Sequence, residues 1–145
     1  MSIQPVTVGP PIIIGGNGLN RTLPLAARYA DEWNTVFVSA SQFAQLSARL
    51  DELLQAVGRS PERIRRTLMT RVVFGCTTAE VERKLGGEPR ERLHTRGVIV
   101  GAPNEIVAQL GALAEAGVQQ VMLQWLEVDD VDGLEAFARS VLPQL

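Results

Sequence analysis

The chain has very few of the residues from which metal sites and disulfides are built. It contains one cysteine, Cys76, and one histidine, His94, among 145 residues. A single cysteine excludes a disulfide within the chain, and neither residue has a second ligand at a spacing typical of zinc sites. We therefore predict no bound metal, and the cysteine content fits a reducing compartment.

Long apolar runs and mixed basic and aromatic patches are also missing. No apolar run approaches the ~18 residues that a membrane helix needs, and residues 1–5 lack the basic start of a secretory signal. We expect a cytoplasmic protein with no membrane partner. One stretch is densely basic, but no aromatic residue is interleaved for stacking on bases, so we predict a solvated face and no nucleic-acid partner. Its basic residues are Arg59, Arg63, Arg65 and Arg66.

The chain does contain a repeated alternation of short apolar runs and amphipathic segments. The apolar runs, rich in β-branched residues and bounded by glycine or polar residues, predict strands. These strands are Pro11–Ile14, Trp33–Val38, Leu68–Phe74 and Val118–Leu126. Helical spacing of apolar residues predicts the intervening and final helices, the second of them capped by Ser41. These helices lie around Leu23–Ala30, Ser41–Gly58, Thr77–Gly86, Pro103–Gly117 and Val131–Leu142.

Strands that alternate with helices across short connections predict an α/β fold with parallel βα units. Four strands give four such units. The length fits a single domain over residues 1–145. Residues 88–97 are polar and rich in arginine, so we expect a surface excursion that could be mobile.

One segment has the pattern of a phosphate site. Gly15, Gly16, Asn17 and Gly18 follow the first predicted strand and precede a helix. Glycines allow a close backbone approach, and the first amides of a helix have no partner within the helix, so an anion can bind there. The segment is neither a complete G-x-G-x-x-G nor a Walker sequence. A plain strand-to-helix turn is the alternative interpretation.

Other polar residues give weaker indications of chemistry. Cys76 follows a predicted strand but has no identifiable base, and we expect a small buried side chain. Asp129, Asp130 and Asp132 lack the glycine and distal glutamate of a calcium loop, so we interpret them as acidic residues at a helix start. No catalytic residue is assigned.

Three segments together resemble the luciferase-like monooxygenases, especially their deazaflavin-dependent subgroup. They are residues 11–34 (PIIIGGNGLNRTLPLAARYADEWN), 101–107 (GAPNEIV) and 116–124 (AGVQQVMLQ). The resemblance implies four βα repeats equivalent to the C-terminal half of a TIM (β/α) barrel. Members of the family are about twice as long, and a complete barrel typically needs ~250 residues.

The resemblance also implies a cofactor, either FMN or coenzyme F(420). The Gly15–Gly18 turn would approach the cofactor phosphate, and Asn34 is a weaker candidate for the same pocket. The sequence does not distinguish the two cofactors, because a glycine turn binds the phosphate and not the ring.

Three functions remain open on the sequence. The chain is part of a flavin- or deazaflavin-dependent oxidoreductase, a non-catalytic half-barrel module that binds a phosphate-bearing ligand or a partner, or a folded remnant without ligand. Half a barrel leaves strand edges and apolar residues uncovered. We therefore expect a homodimer or association with a separate N-terminal half.

Overall fold

The computed structural model describes residues 9–145, in which strands and helices alternate along the chain. The strands are β1 (Ile13–Gly15), β2 (Glu32–Val36), β3 (Arg65–Phe74), β4 (Ile99–Gly101) and β5 (Gln120–Gln124). The helices are α1 (Thr22–Tyr29), α2 (Ala40–Ala56), α3 (Thr78–Leu85), α4 (Arg90–Thr95), α5 (Pro103–Glu115) and α6 (Val131–Ser140). In this part of the chain, no helix is both long enough and apolar enough to cross a bilayer.

All strand pairs in the sheet are parallel. β1 pairs with β2, and β2 pairs with the first half of β3. β5 also pairs with β3, over residues 67–71, so that β3 lies between β2 and β5. The parallel βα units predicted from the sequence are therefore confirmed, and they form part of a barrel.

A short strand that the sequence analysis did not predict, β4, pairs with the last residues of β3 at Val72, Val73 and Phe74. It follows the polar stretch 88–97, where the structure has the short helix α4. Leu93 of this helix is buried in a small apolar cluster with Val73 and Val98. β4 has three residues, the last of them Gly101, and these are too few to produce a recognisable alternation.

β3 begins at Arg65, earlier than the predicted start at Leu68. The side chain of Arg66 donates hydrogen bonds to the Ser47 hydroxyl and to the Asp51 carboxylate of α2. An arginine can therefore lie in this strand, because its charge is paired with a helix that packs on the sheet. Periodicity of apolar residues alone does not detect such an extension.

The main core lies between the sheet and helices α1, α2, α5 and α6. The Trp33 ring stacks on Phe43 of α2 at a centroid distance of 5.8 Å. The N-cap of α2 is Ser39, whose hydroxyl accepts from the Gln42 N–H, and not Ser41 as predicted. Ser39 and Gln42 form a reciprocal capping box, so the helix begins one residue before Ser41.

The sheet has a second face, turned away from these helices, which we call the inner face. Trp33 and Leu68 point into the main core, so strand alternation places their neighbours on the inner face. The inner face is formed by Ile13, Gly15, Glu32, Asn34, Val36, Thr67, Met69, Arg71, Gln120, Met122 and Gln124. Many of these residues are polar.

The side chain of Asn17 continues the pairing of β1 with β2 beyond the end of β1. Its Nδ2 donates to the Val36 carbonyl at 2.7 Å, and its Oδ1 accepts from the Val36 N–H at 3.0 Å. An amide side chain offers one donor and one acceptor, as a backbone peptide does. Asn17 therefore replaces the peptide group that a longer β1 would present to Val36.

We expect Asn17→Ala to lower the free energy of unfolding by ~1–3 kcal/mol, since both backbone groups of Val36 lose their partner in a partly buried position. Denaturant unfolding measures the change. Asn20→Ala is the matched control, because Asn20 is exposed in the same loop, and its effect should stay within about 0.5 kcal/mol. Equal effects of the two substitutions would contradict the structural role of Asn17.

Leu50 of α2 is fully buried in the main core, whereas Leu110 of α5 is only partly buried. Leu50→Ala should therefore cost ~2–5 kcal/mol through lost contacts and a cavity, and Leu110→Ala should cost less. Urea midpoints of the two variants test this order. Gln45→Ala, at an exposed position of α2, is the control that should leave the midpoint nearly unchanged.

Candidate functional site

The glycine turn, Gly15–Gly18, lies at the carboxyl ends of the parallel strands and leads directly into α1. In α/β folds this edge of the sheet is where ligands bind. Gly16 has a φ of 123°, a conformation that is open to glycine and strained for other residues. The predicted location of the turn, between a strand and a helix, is therefore confirmed.

Much of the turn is occupied by internal contacts. The Gly16 N–H donates to the Asn34 carbonyl at 2.9 Å, and the Gly16 carbonyl accepts from the Trp33 indole at 3.0 Å. A Cβ on Gly16 would lie 3.3 Å from Thr22 Cγ2, and a Cβ on Gly18 would lie 2.8 Å from Thr22 Oγ1. Packing against Thr22 thus explains why small residues are needed at these two positions.

Three consecutive backbone amides of the turn remain available. Within residues 9–145, the N–H groups of Asn17, Gly18 and Leu19 donate to no protein acceptor. Gly18 and Leu19 are exposed, and the N-cap residue of α1, Arg21, makes no side-chain cap. Free amides in a turn that leads to the N-terminus of a helix, where the helix dipole is positive, can bind an anion.

Asn34 lies next to Gly15 in the register of β1 and β2. Its side chain is not directed at the turn but along the inner face, where its Nδ2 donates to Thr67 Oγ1 at 2.8 Å. Thr67 in turn donates to Glu32 Oε1 at 2.7 Å. The five residues proposed from the sequence are therefore neighbours, but the side chains of Asn17 and Asn34 have protein partners.

Sequence reasoning missed three polar residues around the turn: Thr22, Thr67 and Glu32. A hydroxyl residue in the first helical turn after a glycine-rich segment was a usable signal for Thr22. Threonine is common in strands, so nothing in the sequence distinguished Thr67 from an ordinary strand residue. Glu32 lies just before the predicted strand Trp33–Val38, although it is the first residue of β2.

A cavity of about 410 Å³ lies beside the turn, lined by Leu19, Phe37 and Leu46 together with amide side chains such as that of Gln42. Phe37 has a φ of 51°, in the left-handed region, at the carboxyl end of β2. Strained backbone of this kind in a non-glycine residue is concentrated at functional sites. The cavity could receive an uncharged group attached to an anion held by the turn.

Cys76 is exposed, so the prediction of a buried side chain was wrong. β3 ends at Phe74, and Cys76 already belongs to the turn that leads to α3, where its N–H donates to Glu80 Oε2 at 2.7 Å. His94 is exposed on α4. Among residues 9–145 there is no group of three or more histidine, cysteine, aspartate or glutamate side chains that could hold a metal.

Asp130 caps the start of α6, as expected for an acidic residue at a helix start. Its carboxylate accepts from Lys84 Nζ at 2.8 Å and from the Gly133 N–H at 2.9 Å. The hydrogen bond from Lys84, with that from Gly133, lowers the pKa of the Asp130 carboxyl below its usual range. This ion pair links the loop after β5 to α3, beside the edge of the sheet that holds the turn.

The basic stretch is only partly a solvated face. Arg63 and Arg65 are exposed, but Arg59 donates to the Ala27 carbonyl at 2.9 Å and to the Ala30 carbonyl at 2.8 Å at the end of α1. Arg66 is bound to α2 as described above. Two of the four arginines therefore have structural roles.

Comparison with known proteins identifies the family of this chain. The sequence profile of the luciferase-like monooxygenases matches residues 1–94. None of the curated proteins searched matches the sequence. The chain is similar in structure to a coenzyme F(420)-dependent tetrahydromethanopterin reductase from Methanopyrus kandleri, with a TM-score of 0.71 and 18% identity, covering 92% of this chain and 50% of the reductase.

Two further solved structures are similar. One is an F(420)-dependent secondary alcohol dehydrogenase in complex with an F(420)–acetone adduct, with a TM-score of 0.72 and 16% identity, over 95% of this chain and 49% of the dehydrogenase. The other is the oxygenating constituent of 3,6-diketocamphane monooxygenase from Pseudomonas putida in complex with FMN, with a TM-score of 0.70 and 18% identity, over 94% of this chain and 49% of that one.

At these identities the similarity shows the fold alone, and the chain spans about half the length of each of these proteins. The profile match covers more than half of the chain and includes the glycine turn and strands β1 to β3. This chain belongs to the luciferase-like monooxygenase family.

Proposed function

We propose that this chain is the C-terminal part of a flavin- or deazaflavin-dependent oxidoreductase and that it contributes the turn that binds the cofactor phosphate. The observation that supports this most directly is the set of three free amides, at Asn17, Gly18 and Leu19, in the turn that precedes α1. In a member of this family, an anion site at the carboxyl edge of the sheet is well placed for a phosphorylated cofactor.

The residues around these amides suit a phosphate. Thr22, in the first turn of α1, faces the glycines and has a hydroxyl that can donate to a phosphate oxygen. Arg21 is exposed at the N-cap position and adds positive charge. The turn thus offers backbone donors, a hydroxyl and a guanidinium without a compensating carboxylate in the segment 15–22.

Either FMN or coenzyme F(420) would fit this proposal. The similar alcohol dehydrogenase is in complex with an F(420) adduct and the similar camphane monooxygenase with FMN. Both cofactors carry a phosphate, and both supply a ring that accepts or donates a hydride, while the protein supplies binding, orientation and electrostatics. The residues of this chain would hold the phosphate, and we assign none of them to the chemical step.

The purified chain should bind FMN or F(420) when each is titrated separately, with inorganic phosphate as a competitor. Gly15→Val should weaken cofactor binding at least about tenfold, because the new side chain projects over the inner face beside the turn. It should leave the fold intact, since its Cβ would come no closer than 3.8 Å to another residue and a β-branched residue suits a strand.

Gly111→Val is the matched control, because Gly111 is exposed on α5 with open space around it. Fluorescence or absorbance titrations give the affinities, and thermal unfolding checks the fold of each variant. If neither cofactor binds to the parent chain, the cofactor proposal is wrong. If the parent and Gly15→Val bind the cofactor with equal affinity, the cofactor does not extend over the inner face beside Gly15.

A non-catalytic module is the second candidate, and one observation favours it. All donors of the phosphate site lie within one short segment, so binding of a phosphate-bearing ligand needs no other part of a barrel. The same titration distinguishes the candidates. A module of this kind should bind FMN no more tightly than a simple phosphate ester, whereas a cofactor site should favour the whole cofactor.

We also propose that the inner face is covered by association, either with a second copy or with a separate N-terminal half. Within residues 9–145, β1 and β5 each have one unpaired edge, and Ile13 and Met122 on the inner face are 58% and 41% exposed. Apolar residues and open strand edges favour association.

Light scattering of the purified chain at micromolar concentration tests the assembly proposal. A mass of at least twice the 15.8 kDa monomer is expected if copies associate. A monodisperse monomer would exclude the homodimer. In that case, addition of the recombinant N-terminal half of a family member should raise the measured mass. If the mass does not change, the proposal of association is wrong altogether.

A further inference from the structure

Three polar side chains form a continuous hydrogen-bonded chain on the inner face, immediately behind the glycine turn. Asn34 Nδ2 donates to Thr67 Oγ1 at 2.8 Å, and Thr67 Oγ1 donates to Glu32 Oε1 at 2.7 Å. Thr67 is fully buried, and Asn34 is only 6% exposed. Buried polar networks of this kind fix the orientation of their members, because each unpaired polar group would be costly.

The chemistry of the chain fixes its direction. An ionised glutamate can only accept hydrogen bonds, so the single hydroxyl proton of Thr67 must point to Glu32. Towards Asn34, Thr67 can then act only as an acceptor. The amide of Asn34 must therefore present its nitrogen to Thr67 and its oxygen, Oδ1, in the other direction.

This leaves Asn34 Oδ1 as an acceptor without a partner. No donor within residues 9–145 bonds to it. In this part of the chain, the fully enclosed side-chain nitrogen and oxygen atoms without a hydrogen-bond partner are Arg71 Nε and Arg90 Nη2. Asn34 Oδ1 is not one of them, so it is accessible at the surface. Gly15, the neighbour of Asn34 in the register with β1, has no side chain that could cover it.

We propose that Asn34 Oδ1 accepts a hydrogen bond from a hydroxyl of the polyol that joins the phosphate of the bound cofactor to its ring, with Thr67 and Glu32 as positioning residues. This inference rests on the proposed function. It assigns to Asn34 a ligand group other than the phosphate. Phosphate oxygens are acceptors, so they need donors such as the turn amides and gain nothing from Oδ1.

The position of Asn34 supports a contact beside the phosphate rather than on it. Asn34 is level with Gly15 in the sheet, and the free amides begin two residues later at Asn17. Asn17 bonds to Val36, two residues beyond Asn34 in β2, which at a rise of ~3.3 Å per residue is about 7 Å further along the strand direction. A ligand held by its phosphate at the amides and extending over Gly15 would bring its linker to Asn34.

Two small ligands separate the linker contact from the phosphate contact. Ribitol 5-phosphate carries both the phosphate and the polyol, and n-pentyl phosphate carries the phosphate on a chain without hydroxyls. The parent chain should bind ribitol 5-phosphate about three- to tenfold more tightly, the factor expected for one net hydrogen bond. Calorimetric titration of the whole chain measures both affinities.

Asn34→Leu keeps the size of the side chain but removes the acceptor. This variant should bind the two ligands with equal affinity, and its affinity for n-pentyl phosphate should be the same as that of the parent chain. Thr67→Val should also reduce the preference, because Asn34 loses its fixed orientation, and Thr67→Ser should restore it. A purely structural role of Thr67 would change both affinities together. Asn20→Leu, at an exposed position in the turn region, is the control.

The outcomes distinguish this inference from the function on which it rests. A preference for ribitol 5-phosphate that survives in Asn34→Leu, or its absence from the parent, overturns the role of Asn34 while the phosphate site stands. Failure of the parent to bind either ester overturns the phosphate site and the inference with it. Loss of the preference in Asn34→Leu and Thr67→Val, but not in Thr67→Ser, supports the assignment.

Discussion

Pairing along β3 is the constraint on which the rest of the structure depends. β3 has ten residues, which pair with β2 over 65–69, with β5 over 67–71 and with β4 over 72–74. β2 in turn is the partner of β1, which ends in the glycine turn. The register of β3 therefore sets the height at which each loop leaves the carboxyl edge, and with it the relative position of the residues proposed to bind a ligand.

The strongly periodic parts of this architecture could be predicted from the sequence. Runs of β-branched residues gave β1, β2 and β5 to within a few residues, and the apolar spacing of α2 and α5 identified the helices that cover the sheet. β4 and the first residues of β3 could not be predicted in this way. β4 is too short, and β3 begins with arginines whose charges are neutralised or solvated only in the folded chain.

The candidate site, too, could be predicted only in part from the sequence. Glycines between a strand and a helix are visible in a sequence, so the turn could be located. The sequence does not reveal which donors of that turn are already used. The reciprocal bonds of Asn17 with Val36 and the direction of the Asn34 amide depend on residues that lie up to 33 positions away in the chain. Such partners become adjacent only through the sheet register.

The contact of Arg59 with α1 has a consequence for the cooperativity of the fold. Arg59 follows α2 in the chain, yet its guanidinium binds the last carbonyls of α1, which no amide of that helix can reach. α1 packs at the outer edge of the sheet, where a short helix would otherwise fray independently. Since the end of α1 is held by the segment that terminates α2, local opening of α2 also releases α1 and the glycine turn from which α1 starts. Hydrogen exchange in the glycine turn is therefore expected to respond to the stability of α2, although the turn and α2 are separate segments of the chain.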